Sequence, residues 1–221
     1  MVRLGVRRES ITLIYPGVDM ERFRPGLACD DLKQSIGLRD GQRLILSVGR
    51  LVRRKGFDQV IRAIAELVRR GSDVHYALVG IGEDQDYLTS LARECGISDR
   101  VHLVGAASPE DLPRWYNACD VFIMPNREIN GDTEGFGMVF LEAAACARPA
   151  IAGAAGGTGA AVVDGVTGYR VDGTDVDALA RSLHSLLDDP ALAERLGQAG
   201  LRRAMEQFSW DAVAARTHAL V

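Results

Sequence analysis

Two glutamates frame the most informative stretch of the chain, EGFGMVFLE, in which Glu134 and Glu142 stand eight residues apart (142 − 134) with two glycines between them. Gly135 and Gly137 permit a loop conformation ahead of an apolar helical run. Free backbone amides, with the positive helix end, would then face an anion. Taken singly, Glu134 reads as an ordinary acid near a helix start and Glu142 as an exposed helical carboxylate. A glycosidase acid and nucleophile are excluded by distance. At about 1.5 Å per residue along a helical path the two lie roughly 12 Å apart, wider than the carboxylate pairs of hydrolases. The spacing suits contacts to opposite ends of one long ligand instead, such as a sugar and a ribose with a diphosphate between them.

A second basic element, GRLVRRKG at residues 49–56, follows an apolar run. Gly49 lets the backbone turn sharply, and Arg50 and Lys55 follow it. An arginine offers a planar fork for phosphate and a lysine a compact charge, so the pair suits a pyrophosphate. Arg53 and Arg54 are expected to be solvated. Two further glycine clusters are weak: AGGTG at 155–159 lacks the Lys-Ser/Thr ending of a P-loop, and GIGEDQD at 80–86 lacks the third glycine of a dinucleotide fingerprint. Tight turns after strands explain both equally well.

The elements that must position these residues follow a β-α alternation beginning at Arg43, the pattern of a parallel sheet with crossover helices. Apolar runs predict strands over 44–48, 74–79, 101–104, 121–124 and 150–152. Phe57, Val60, Ile61, Ile64, Leu67 and Val68 fall on one helical face, as do Tyr87, Leu88, Leu91, Ala92 and Cys95. Ser108 as N-cap and Pro109 at the first position open another helix, with acids Glu110 and Asp111 in its first turn. A helix over 139–147 follows the glycine loop. The far end reads as helices over 175–187, 190–206 and from Trp210 onward, and residues 11–15 read as a strand arriving from something upstream. One α/β domain, a Rossmann-like doubly wound parallel sheet with helices on both faces, is the economical expectation. In such folds ligands bind at the carboxyl ends of the strands, where both basic and acidic elements fall.

Bulk properties narrow the partners. A formal net charge of −4 with interspersed signs gives no broad basic face, so nucleic acid is not expected as a partner. An apolar fraction of 47% over 221 residues supports an ordinary core. No stretch approaches the roughly 20 apolar residues of a membrane span, and the arginines of residues 1–10 have no hydrophobic segment behind them. A cytoplasmic protein is expected, with peripheral contact to the inner membrane face left open. Cys29, Cys95, Cys119 and Cys146 lack the paired spacing of zinc or redox sites and are read as reduced and structural. His75 and His102 lie inside strand-like runs and are read as core or strand-end groups.

The motifs together resemble the retaining glycosyltransferases of the group-1 type (family 4), whose members have two Rossmann-like domains facing across a cleft, the GT-B fold. PGVDMERF (16–23), VGRLVRRKGFD (48–58), PNREINGDTEGFGMVFLEAAA (125–145), GGTGAAVVDGVTG (156–168) and FSW (208–210) look, in order, like that family's carboxyl-terminal domain. The stretch before Glu134 is most similar to bacterial mannosyltransferase and exopolysaccharide branches. The resemblance implies that the whole chain, 1–221, is the nucleotide-sugar-binding domain and that the amino-terminal acceptor domain has no counterpart in it. It further implies that Arg50 and Lys55 bind the diphosphate of a UDP- or GDP-sugar, that Glu134 contacts hydroxyls of the transferred sugar, and that Glu142 holds the ribose. The amides of residues 136–139 would meet the sugar and β-phosphate, and Val104, Gly105 and the residues to Ala107 would border the base. No metal or other cofactor is then needed. Partners implied are the nucleotide sugar, the missing domain, and a saccharide or lipid-linked acceptor. The orphan strand at 11–15 would be the crossover from the missing half, and the segment after Trp210 would pack back toward it.

Two departures stand out: Ala160 where relatives carry an acid, and Ala147 in CARP (146–149) where glycine is usual. The alternative reading is a non-catalytic nucleotide-sugar-binding or assembly module of the same fold. A nucleotide-sugar epimerase shares the architecture, but the histidine and acid groups it needs for proton transfer are not in place.

Overall fold

A computed structural model describes residues 5–220, so residues 1–4 of the arginine-bearing start lie outside it. Six strands form one parallel sheet: β1 (Arg43–Val48), β2 (Val74–Val79), β3 (Val101–Gly105), β4 (Val121–Met124), β5 (Ala150–Gly153) and β6 (Gly168–Val171), in the order β3-β2-β1-β4-β5-β6. The helices are α1 (Asp30–Ser35), α2 (Phe57–Arg69), α3 (Gln85–Glu94), α4 (Asp111–Ala118), α5 (Met138–Ala145), α6 (Val176–Asp188), α7 (Pro190–Arg203) and α8 (Trp210–His218). The first five strands fall where the apolar runs place them. Every residue of β2, β4 and β5 is buried, as a sheet covered on both faces requires.

Chain direction explains the layering. From β1 to β3 the strands are added toward one edge, and from β4 to β6 toward the other. Right-handed crossovers therefore carry α2 and α3 over one face and α4 and α5 over the opposite one. α6 packs beside α2, and α7 beside α5, which completes the cover of both faces. The helical stripe of α2 is buried at Phe57, Val60, Ile61, Ile64 and Leu67, as its spacing predicts. Two polar groups of the core satisfy one another: Tyr76 Oη donates to Ser47 Oγ at 2.8 Å, and Ser47 Oγ donates to the Ile123 carbonyl. The cysteines are unpaired with one another, and all but the half-buried Cys95 are buried.

Several sequence expectations need correction. β6 was not anticipated; its GYRV run is half-exposed beyond its first residue, so it lacks the continuous apolar signature of an inner strand. α1 buries none of its residues and so leaves no periodic trace. Residues 11–15 form no strand: Thr12 and Leu13 are exposed, and the nearest pairing is a single bridge between Val18 and Ser209. The helix expected over 190–206 stops at Arg203 and passes into a π-helical turn, Ala204–Phe208. α4 begins two residues later than Pro109 suggests, yet Ser108 still caps it, its Oγ accepting from the Asp111 amide at 3.0 Å. Among the described residues no helix is long and apolar enough to cross a membrane.

Candidate functional site

β1 and β4 are neighbours at the point where strand order reverses, and the crevice outside their carboxyl ends is where such sheets receive ligands. The loop after β1 closes in a 3₁₀ turn, Arg53–Lys55, stopped by Gly56. This turn sends neighbouring basic residues in different directions. Arg53 swings outward, pairing with Asp84 at 2.9 Å and lying 3.3 Å from the centre of the Tyr87 ring. Lys55 turns inward, its stem against Gly49, and places Nζ 2.6 Å from Glu134 Oε2.

Arg54 also turns inward, contrary to the expectation that it is solvated. Its Nη1 lies 2.9 Å from the same Glu134 Oε2, and its Nε lies 3.1 Å from Asp132 Oδ2. The side chains of Lys55, Arg54 and Glu134 are only 11%, 17% and 14% exposed. Burial pushes the Glu134 carboxyl upward, but hydrogen bonds and charge from Lys55 and then Arg54 outweigh it and hold the group below the ordinary carboxylate range. Glu134 is thus an ion, and both cations take Oε2. Among the described residues Oε1 accepts no hydrogen bond. Arg50 projects exposed beside this cluster and pairs with no carboxylate among the described residues.

The loop from β4 to α5 is fixed at three points. Arg127 Nη2 pairs with the buried Asp58 at the start of α2, 2.9 Å away. Asn130 and Gly131, both at positive φ, make a two-residue turn in which Ile129 and Asp132 exchange backbone bonds, delivering Asp132 to Arg54. Beyond Glu134 the chain rests on the AGGTG segment. The Gly157 amide donates to the Glu134 carbonyl at 2.9 Å, and a Cβ on Gly157 would lie 1.9 Å from the Gly135 oxygen. The glycine pair therefore serves close backbone approach, with the tight-turn reading nearer than a phosphate loop. GIGEDQD is likewise absorbed by packing, Gly82 lying against the backbone of Leu51.

Gly137, at φ 85°, turns the chain into α5. The helix has no side-chain cap, and among the described residues the amides of Phe136, Gly137, Met138 and Val139 have no acceptor. Four donors are thus left unpaired at the helix start, in the loop that also carries Glu134. On the same side of α5 as Met138, one turn on, Glu142 is half-buried rather than exposed. Its Oε2 accepts from Tyr116 Oη at 2.6 Å. Burial raises its pKa above the ordinary value, opposed by the Tyr116 bond and the charge of Arg22. Val104 and Gly105 end β3 on the same sheet edge, where the Gly105 carbonyl accepts from Gly80 at 2.8 Å.

The structure thus joins Lys55 to Glu134 directly, leaves Arg50 open beside them, and gives Glu142 separate partners. Sequence reasoning missed Arg54, Asp132 and Tyr116. No sequence signal separates Arg54 from its basic neighbours; the turn that Gly56 ends at φ 76° does so only in the fold. At Ala160 the backbone is held by Arg203, which donates to the carbonyls of Ala160 and Ala161 at 2.8 and 3.1 Å. His75 and His102 lie at the opposite sheet edge with ring nitrogens 2.9 Å apart, in the strand-end role expected of them.

The family model described as "Glycosyl transferases group 1" matches residues 29–203. A GDP-mannose-dependent alpha-(1-6)-phosphatidylinositol monomannoside mannosyltransferase of Mycolicibacterium smegmatis is 41% identical over 204 residues, covering 91% of this chain and 53% of the relative. Sucrose-phosphate synthase from Thermosynechococcus elongatus has the same fold with a TM-score of 0.81 at 32% identity, over 95% of this chain and 51% of that one. The C-terminal domain of a group 1 glycosyl transferase, LpcC, from Francisella tularensis matches with a TM-score of 0.76 at 25% identity, over 88% of this chain and 100% of that one. The chain spans about half the length of the mannosyltransferase and the synthase. It belongs to the group 1 glycosyl transferases.

Proposed function

We propose that this member of the group 1 glycosyl transferases is the donor-binding domain of a retaining enzyme that transfers a hexose from a UDP- or GDP-sugar. The observation that carries the reading is the ionised Glu134, held on one oxygen by Lys55 and Arg54 beside the open amides of residues 136–139. Oε1 is then the acceptor for sugar hydroxyls. The amides and the cations Arg50 and Lys55 face the diphosphate, and Glu142, braced by Tyr116, takes the ribose hydroxyls. Val104 and Gly105 border the base.

Cleaving the sugar–phosphate bond places negative charge on the departing diphosphate, and fixed cations with a helix terminus stabilise that charge as it develops. The acceptor hydroxyl attacks from the face the diphosphate leaves, and a phosphate oxygen takes its proton, so the anomeric configuration is kept. The acceptor, a saccharide or a lipid-linked headgroup, is held by an amino-terminal domain that completes the cleft. The name of the M. smegmatis relative favours GDP-mannose among the donors. Calorimetry with UDP, GDP and ADP and their sugars tests the reading: the chain is expected to bind at least one nucleoside diphosphate, and binding of none overturns it.

A further inference from the structure

The donor loop is held in part by Tyr15, a residue outside the motifs. Phe136 lies between the two glycines of that loop, and its ring is stacked on Tyr15, with centroids 4.7 Å apart and planes 16° from parallel. Phe208 closes the group, 5.8 Å from Phe136 and 6.4 Å from Tyr15. Arg203 lies over Phe208 at 4.8 Å while its guanidinium bonds the Ala160 and Ala161 carbonyls, so the trio is anchored to the segment that also seats Glu134. The arriving chain is pinned just after Tyr15. The Val18 amide donates to the Phe208 carbonyl at 2.7 Å, and Gly17 lies under the Trp210 ring, where a Cβ would come within 2.7 Å of it.

We infer that Tyr15 is a positioning residue for the donor loop: its ring fixes Phe136, and through it the direction of the amides of residues 136–139. This rests on the donor-site reading above. The physical need is specific. Gly135 is exposed with nothing within 4 Å of a Cβ built on it, and Gly137 adopts a left-handed conformation, so neither neighbour of Phe136 restricts the backbone through a side chain of its own. A side chain clamped between two rings removes that freedom at its midpoint. Offset aromatic stacking supplies the directional part of the clamp. Among the described residues the Tyr15 hydroxyl makes no hydrogen bond, so the ring alone carries the effect.

The test compares Tyr15→Ala, Tyr15→Leu and Tyr15→Phe with the unaltered 221-residue chain, in two measurements. In the absence of nucleotide, hydrogen exchange at the amides of Phe140 and Gly157, which bond the Gly137 and Glu134 carbonyls on either side of Phe136, is expected to quicken in the Ala and Leu variants and to stay unchanged in Phe. In calorimetry, nucleoside diphosphate affinity is expected to fall about three- to tenfold in Ala and Leu, the scale of one aromatic pair. Nucleoside monophosphate, which does not reach the loop amides, is expected to bind all variants equally. Unchanged exchange at Phe140 and Gly157 overturns the inference, as does an equal loss for monophosphate and diphosphate. If the unaltered chain binds no nucleotide, the donor-site reading fails, and the exchange experiment still decides whether Tyr15 orders the loop.

Discussion

Lys55 Nζ and Glu134 Oε2 stand 2.6 Å apart although 79 residues separate them in the chain. The contact joins the loop after β1 to the loop after β4, and Arg54 makes it a three-group cluster by binding the same oxygen at 2.9 Å. A carboxylate with one oxygen committed to cations and the other open accepts hydroxyl donors without reorganising.

Removing the lysine tests the cationic half of the site. Lys55→Ala is expected to weaken nucleoside diphosphate binding roughly 10- to 100-fold, the range for losing one charge-assisted hydrogen bond. Monophosphate binding should change little, and calorimetry with both ligands reads the difference.

Acid titration tests the carboxylate. The pKa of Glu134 is depressed in the folded chain, so its contribution to stability is present above the unfolded-state value of about 4.3 and is lost as pH falls through the lower folded value. Thermal unfolding from pH 7 to pH 3 should therefore show a steeper acid decline in the unaltered chain than in Glu134→Gln. Equal slopes would mean that the ion pairs contribute nothing.

Glu142 carries the opposite sign. Its folded pKa is raised, so the protonated form is favoured on folding, and stability falls as pH rises from about 4.3 through the folded value. Glu142→Gln is expected to melt higher than the unaltered chain at pH 7, with the gap closing below pH 4, measured by calorimetric scans. The same variant should bind nucleotide about tenfold more weakly, on the scale of one hydrogen bond to a charged group. Gained stability with lost affinity is the pattern of a group retained for binding.

Ala147 offers a prediction away from the site. It follows α5 at φ 56°, where Arg148 N bonds the Ala143 carbonyl and Ala147 N the Ala144 carbonyl, a helix ending that favours glycine. Ala147→Gly is expected to stabilise the chain by about 1 kcal/mol, the penalty of a left-handed non-glycine residue. For a domain of this size that raises Tm by about 2–4 °C.

Strand positions were legible in the sequence because inner parallel strands are apolar throughout, as in the fully buried VHYALV of β2. β6 escaped because this edge strand is half-exposed from Tyr169 to Val171 and so carries no continuous apolar run. In the site, Lys55, Glu134 and the glycine loop were legible from type and spacing. The inward turn of Arg54 was not, since three adjacent basic residues look alike until Gly56 and the β4–α5 loop assign each a direction. Tyr116 lies in a buried helical stretch, and only the packing of α4 on α5 brings its hydroxyl to Glu142. Tyr15 carries no periodic signal, because an extended arm is defined by what it lies against.

The reversal of strand order at β1 and β4 has a consequence for how unfolding is observed. The two loops of the cluster belong to opposite wings of the sheet, so neither wing by itself presents a cation together with its carboxylate. Any opening that separates β1 from β4 abolishes the site even while each wing keeps its helices. Nucleotide affinity, followed through a urea titration, therefore reports on the seam between the wings, and circular dichroism on the wings themselves. Where the two curves part, the protein has come apart down its centre before losing its secondary structure.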